Sequence, residues 1–294
     1  MMLFGQSGLL VALAALAAAA PTQLAPRAVS SGTLNQLTLF AQYSAASYCT
    51  NNVNSPGDAV TCSGGYCPAV QSAGAKTLAE FNNVLDYGDV AGFLAVDSAN
   101  KLLVLSFRGS RTVSNWIANL DFDQTDASSL CVGCKAHSGF LRAWSVVSDD
   151  VMPALTSAMA KYPGFRLVLT GHSFGGAVAA LGATALRKAG YSLDLYTYGQ
   201  PRVGNTALAT YMTNQGSLYR VTHSNDIVPK LPPTWLGYTH ASPEFWITSG
   251  DSAGVTANDI TQINGIGSNA GNAGSDGDSI AAHNWYIVNI DGCQ

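Results

Sequence analysis

The sequence predicts an α/β domain built on a central, mostly parallel sheet flanked by helices. Three observations carry this. Short β-branched runs at Val90–Val96, Leu102–Phe107, Arg166–Thr170, Leu193–Tyr198 and Leu218–Thr222 alternate with helical patterns at Leu34–Ala46, Leu141–Ala160, Ala177–Ala189 and Thr206–Asn214. The strand pattern ending at Thr170 runs through a Gly-x-Ser-x-Gly turn into a helix of small residues. Neither an internal repeat nor a Pro/Ser-rich linker divides the chain, so one domain is the simplest arrangement for 294 residues.

Composition narrows the function classes. With 47% hydrophobic and 11% charged residues the chain is too apolar for disorder. Fourteen Lys+Arg against eighteen Asp+Glu give a net charge of −4, and no basic run occurs, which argues against a nucleic-acid partner. Outside the N-terminus no apolar stretch approaches the roughly 18 residues of a membrane span, so stable membrane insertion is not expected.

At the N-terminus, Leu9–Ala20 is an apolar run of signal-peptide length ending in small residues. Residues 1–20 therefore read as an export signal, although Met1–Gly8 lacks the usual basic residue. Residues 21–27, ending at Arg27, read as a pro-segment, which leaves a mature domain over 28–294 in an extracellular protein. Six cysteines fit an oxidising compartment. Proximity suggests Cys62–Cys67 and Cys131–Cys134, leaving Cys49 and Cys293 to join the two ends. Cys131-Val-Gly-Cys134 has no second C-x-x-C or spaced His pair, so neither a zinc site nor any other metal site is expected.

Gly-x-Ser-x-Gly occurs twice, around Ser173 and Ser252. A nucleophilic serine needs a sharp strand-to-helix turn that holds its oxygen out at a helix N-terminus. Only Ser173 lies between a strand pattern, Phe165–Thr170, and a helical one beginning at Gly176; Ser252 reads as a turn. A serine hydroxyl requires a histidine to take its proton and a carboxylate to orient that histidine. Among the later acids, Asp226 stands where a strand ends ahead of Pro229, a better defined turn than those at Asp194, Glu244, Asp251 or Asp259. His223 precedes that acid too closely, so position leaves His283 and His240 as candidate bases. His172 and His137 read as structural. The Gly267–Asp278 stretch lacks calcium-loop spacing and reads as a surface loop.

Several segments together resemble the secreted filamentous-fungal class 3 (triacylglycerol) lipases, a branch of the α/β-hydrolases. They are Leu39–Cys49, Val104–Ser110, Thr170–Gly176, Tyr198–Gly204 and Thr222–Pro229, and the likeness runs from about Leu34 to Cys293. The resemblance implies a catalytic Ser173, Asp226 and His283, the same three disulfides, and no cofactor. It also implies an oxyanion hole from Phe174 and Ser110, where Arg108–Arg111 read alone is a charged turn. Val113, Trp116, Ile117 and Leu120 fall on one helical face. Read alone such a stripe is core, and the resemblance makes it a short helical lid over the acyl groove.

One departure is Phe174, where such lipases commonly carry Leu; its larger ring narrows the expected groove. No N-x-S/T sequon occurs, so N-glycosylation is not expected. The implied activity is an extracellular triacylglycerol lipase working at an oil–water interface as a monomer or weak dimer. The alternatives are a feruloyl esterase or mono/diacylglycerol lipase of the same fold, and a non-catalytic lipid-surface binding protein, against which the complete Ser/Asp/His set argues.

Overall fold

The computed structural model describes Met2 and residues 27–83, 89–119 and 121–294. The expected export signal and pro-segment lie outside the described residues, apart from Met2 and Arg27. The described helices are α1 (Ser31–Ala46), α2 (Pro68–Ser72), α3 (Val113–Ala118), α4 (Ser138–Lys161), α5 (Phe174–Lys188) and α6 (Thr206–Gln215). The strands are β1 (Arg27–Ala28), β2 (Lys76–Asn83), β3 (Val90–Asp97), β4 (Leu102–Phe107), β5 (Gln124–Asp126), β6 (Lys135–His137), β7 (Arg166–His172), β8 (Leu193–Tyr198), β9 (Leu218–His223), β10 (Glu244–Ile247), β11 (Ile260–Ile263), β12 (Trp285–Tyr286) and β13 (Val288–Asn289). No helix among the described residues is long and apolar enough to cross a membrane.

Among the described residues nine strands form one sheet in the order β1-β11-β10-β9-β8-β7-β4-β3-β2. Its centre, β4 to β10, is parallel, and antiparallel strands finish both sides. The sequence patterns marked the parallel centre. They missed β10 at its end and β1, β2 and β11 of the antiparallel margins; β2, β10 and β11 mix polar with apolar residues.

The central strands are mostly buried along their length because both faces are covered, and β4 is the most apolar of them. Along β4, Leu103, Leu105 and Phe107 join the core under α4 and α5, while Leu102 and Val104 join a second core under α1. Side chains alternate across a strand, so one run feeds two cores. The parallel strands point their carboxyl ends to one edge of the sheet, where ligands bind in open α/β folds. The segments leaving β4, β7, β8 and β9 converge on that edge.

Three disulfides join Cys49 to Cys293, Cys62 to Cys67 and Cys131 to Cys134. The first closes 244 residues and holds the C-terminal segment against the end of α1. The sulfur of Cys62 lies within 4.8 Å of those of Cys49 and Cys293, so two staples adjoin.

Candidate active site

The turn between β7 and α5 follows from its glycines. Ser173 has φ +57° and ψ −127°, a conformation that costs an L-residue on the order of 1–3 kcal/mol and persists only where the surroundings impose it. A Cβ on Gly171 would fall 2.4 Å from the Gly175 carbonyl oxygen, and one on Gly175 would fall 2.2 Å from that of Phe107. These positions admit only glycine, and the result brings the N-terminus of α5 against the end of β4. The Ser173 backbone N–H is tied to the Tyr198 carbonyl at 2.8 Å. Its Oγ is buried and has no hydrogen-bond partner among the described residues.

Two residues from distant parts of the chain form a pair beside it. Asp226 Oδ2 accepts from His283 Nδ1 at 2.8 Å, and both side chains are fully buried. The other oxygen, Oδ1, accepts from the Val228 N–H at 2.8 Å, closing the turn that follows β9. Tyr286 Oη donates to Oδ2 at 2.5 Å; burial, with the nearby Asp226 charge, keeps that phenol's pKa well above its usual value. The acid thus accepts three hydrogen bonds, which compensate the cost of burying its charge. Since Nδ1 donates to the carboxylate, Nε2 is the free nitrogen of His283, and it too lacks a partner. Gly199 (φ +55°) leaves room for the pair: a Cβ there would lie 2.8 Å from His283 Cε1 and 3.1 Å from Asp226 Oδ2. Tyr198, which holds the Ser173 N–H, is the residue before Gly199, so serine and histidine flank the same short segment.

His172 joins these parts. Its Nε2 donates to the His283 carbonyl at 2.9 Å, and its Nδ1 accepts from Tyr48 Oη at 2.7 Å. Burial holds its pKa well below the usual imidazole value, so the ring stays neutral and that tautomer is retained. Gly109 packs on the same tyrosine, since a Cβ there would meet Tyr48 Oη at 2.1 Å and Ser173 Cβ at 2.9 Å. Ser110 follows directly, partly exposed, next to the serine turn. The Phe174 N–H opens α5, where the first N–H groups have no intrahelical acceptor and the helix dipole is positive. Donors on these two residues suit a negative oxygen. Among the described residues the group close enough to hold a metal is Cys49, Cys62 and Cys293, and these sulfurs are committed to disulfides.

The other candidate residues stand elsewhere. His240 Nε2 is bound to the Pro229 carbonyl at 2.7 Å, and burial, with Arg220 and Arg202 nearby, holds its pKa well below normal. His223 lies 2.9 Å from both the Ala282 and Ser249 carbonyls, bracing the segment before His283. Ser252 is exposed on a turn between β10 and β11, with no α-helix behind it.

Over the serine turn lies α3. Val113 is buried, while Trp116 and Ile117 are half-buried; Leu120 lies outside the described residues. Trp116 stacks on Phe140 with centroids 6.2 Å apart, and Phe140 meets Phe174 edge-on at 5.8 Å. Phe140 also stacks on His137 at 3.8 Å, whose pKa burial lowers to about 4. An aromatic column thus connects the helix to the residue after the serine.

Sequence reasoning missed four contributors: Tyr286, Tyr48, the bracing bond of His172, and Asn272, whose Nδ2 donates to the Asp226 carbonyl at 2.9 Å. Tyr286 had a signal in its position three residues after His283. Asn272 had none, because it sits in the Gly/Asn/Ser stretch that reads as plain loop.

Comparisons with known proteins agree with this architecture. Residues 104–235 match the lipase (class 3) family, and residues 9–79 match its lipase 3 N-terminal region. The chain is 45% identical over 287 residues to secreted mono- and diacylglycerol lipase A of Penicillium cyclopium, covering 96% of this chain and 93% of that protein. It is 40% identical to secreted mono- and diacylglycerol lipase 1 of Fusarium solani over 90% of this chain and 79% of the relative. The crystal structure of the mono- and diacylglycerol lipase from Aspergillus oryzae superposes with a TM-score of 0.85 at 42% identity, over 89% of this chain and 98% of that one. This chain therefore belongs to the class 3 lipase family, carboxylester hydrolases of the α/β-hydrolase fold.

Proposed function

We propose that this protein is an extracellular acylglycerol lipase in which Ser173 is the nucleophile, His283 the general base and acid, and Asp226 the residue that orients the imidazole. The observation that carries the reading is the pairing of His283 Nδ1 with buried Asp226, with Nε2 and Ser173 Oγ left free on either side of one segment. Ser173 Oγ attacks the ester carbonyl while its proton passes to His283 Nε2. The oxyanion is received by the N–H groups of Phe174 and Ser110; removal of one such donor costs about 10²–10³ in rate in a comparable hydrolase. As the C–O bond breaks, His283 returns the proton to the departing glyceride oxygen, leaving an acyl-serine. Water then attacks the acyl carbon, gives its proton to His283, and the fatty acid leaves as Ser173 is reprotonated.

Relatives named for mono- and diacylglycerols match over nearly the whole chain, which supports partial glycerides as substrates alongside triacylglycerol. They are also named as secreted, in accord with an export signal at 1–20 and release after Arg27. That cleavage would leave Ala28 paired with Thr261 at the sheet edge. All three catalytic residues come from this chain, in accord with a monomer or weak dimer. In our reading the stripe Val113, Trp116, Ile117 and Leu120 belongs to a lid that opens onto lipid, Trp116 giving up its contact with Phe140 as it does so. Full burial of a residue such as Val or Ile is worth roughly 1.5–3 kcal/mol on either side of that exchange, so the equilibrium is easily tipped.

The test is to measure rates on emulsified triolein, diolein and monoolein and on methyl ferulate, for the native protein and Ser173→Ala. Glyceride hydrolysis that vanishes in the folded variant supports the reading. A preference for methyl ferulate, or activity retained without Ser173, overturns it.

A further inference from the structure

The loop that leaves β9 carries a tryptophan that the fold does not use. Trp235 is 80% exposed, although tryptophan is on average a highly buried residue. The turn beneath it is firmly built. Thr234–Leu236 forms one 3₁₀ turn, closed by the Gly237 N–H on the Thr234 carbonyl at 2.8 Å, with Gly237 at φ +84°. On one side the Arg202 guanidinium donates to the Lys230 and Pro232 carbonyls, the latter at 2.9 Å. On the other, Gln124 Nε2 donates to the Leu236 carbonyl at 3.0 Å and Tyr238 Oη to the Phe122 carbonyl at 3.0 Å. The loop therefore starts at Asp226, passes the segment that leaves β8, and ends on the segment that follows α3. Phe122, in that last segment, is itself 36% exposed.

We propose that Trp235, aided by Phe122 on the segment to which its loop is bonded, is a fixed anchor that seats the protein on a neutral acylglycerol–water surface whatever the position of α3. The proposal rests on the acylglycerol reading above. An indole suits such a boundary because its body is apolar and its N–H can stay wet. The charges choose the kind of surface. Lys230 is turned toward the Ser275 and Gly277 carbonyls and pairs with Asp278 at 3.1 Å, and Arg202 is spent on buried carbonyls. Asp121 and Asp123 flank Phe122. A patch bounded by two carboxylates, with its nearby cations engaged, fits neutral lipid and is repelled by an anionic membrane. Trp116 is half-buried against Phe140, whereas Trp235 is already open and needs no rearrangement. Contact through Trp235 then keeps α3 beside the surface into which it opens, in the manner of a first attachment that raises the effective concentration of a second.

The experiment is adsorption of the full-length secreted protein carrying Ser173→Ala, so that nothing is turned over, to triolein droplets and to phosphatidylglycerol vesicles. Adding Trp235→Ser should weaken adsorption to triolein about tenfold, the scale of one large apolar side chain. Trp235→Phe should lose much less, and the melting temperature should not move. Unchanged adsorption to triolein overturns the proposal, as does a loss confined to the anionic vesicles. A dimer in water that Trp235→Ser dissolves, with adsorption unaffected, also overturns it and assigns the ring to self-association. Since adsorption is read without turnover, its failure is separate from failure of the hydrolase reading, which appears in the native protein's rates.

Discussion

Ser173, Asp226 and His283 are all fully buried, and short, directional hydrogen bonds or glycine-limited contacts hold the backbone around them. At the other end of the Phe140–Phe174 column, Trp116 is half-buried and stacked on Phe140, Ile117 beside it is half-buried too, and Trp235 stands in the open. The difference teaches which part of the site must be exact and which must be exchangeable. Hydrogen bonds are lost steeply with angle and distance, so they specify a geometry. Apolar contact is non-directional, so a face buried against protein transfers to lipid with little net change. The floor is therefore suited to chemistry and the rim to access.

Breaking the floor should have the largest effect. Ser173→Ala is expected to reduce ester hydrolysis by about 10⁶-fold, while Ser252→Ala, on its exposed turn, leaves the rate near that of the native protein. Steady-state rates on a soluble ester settle it. Asp226→Asn should come next, lowering kcat by about 10⁴-fold with a much smaller change in KM, because the amide cannot orient the same imidazole tautomer.

The staples divide in the same way. Cys49 follows Tyr48, which braces His172, so its bridge supports the floor; Cys131–Cys134 supports the segment beyond α3. Closure of 244 residues is worth about 5 kcal/mol in the chain-entropy treatment, against about 2 kcal/mol for the bridge spanning 3. Chemical denaturation of the paired Cys→Ser variants should give losses in that order. Equal losses would mean that the long bridge does not constrain the unfolded chain.

Acid should loosen both layers. Burial holds the pKa of His137 at about 4, below the ordinary 6.5, and holds those of His172 and His240 well below it. The unfolded chain takes up protons from pH 6.5 downward that the folded protein refuses until about pH 4 at His137. Stability is thus full above pH 6.5 and falls as the pH drops, by up to about 1.4 kcal/mol per pH unit for each histidine. Melting temperatures at neutral and acid pH should show the slope, and His137→Gln should flatten it by one histidine's share. A slope that His137→Gln leaves unchanged would mean that the ring does not resist protonation.

Breaking the rim should give the smallest and most selective effect. Trp116→Ser is expected to lower turnover of emulsified long-chain glyceride about tenfold, with a far smaller fall on a soluble short-chain ester and little change in melting temperature. If both substrates suffer alike and the protein melts many degrees lower, Trp116 is core and α3 does not move.

What could be read from the sequence was local. The β7–Ser173–α5 turn shows itself because glycines and small residues at fixed offsets dictate a backbone path within a dozen residues. Most of the parallel centre, β4, β7, β8 and β9, shows itself because strands buried on both faces are rich in apolar and β-branched residues. The turn at Asp226 shows itself in the strand end before Pro229. Which histidine meets that acid was not legible in the residue pattern, which left His240 open until the family resemblance favoured His283. In the structure, Asp226 and His283 lie 57 positions apart, His172 and His283 111, and Tyr48 and His172 124. Only the order of the strands and the closure of the C-terminal segment by Cys49–Cys293 bring such residues within hydrogen-bonding reach. Asn272 and Tyr286 belong to the same class, as polar side chains whose partners are chosen by packing. Backbone conformation is governed by neighbours in the chain, and the partner of a buried polar group by neighbours in space; the first can be read along the sequence, and the second only in the folded structure.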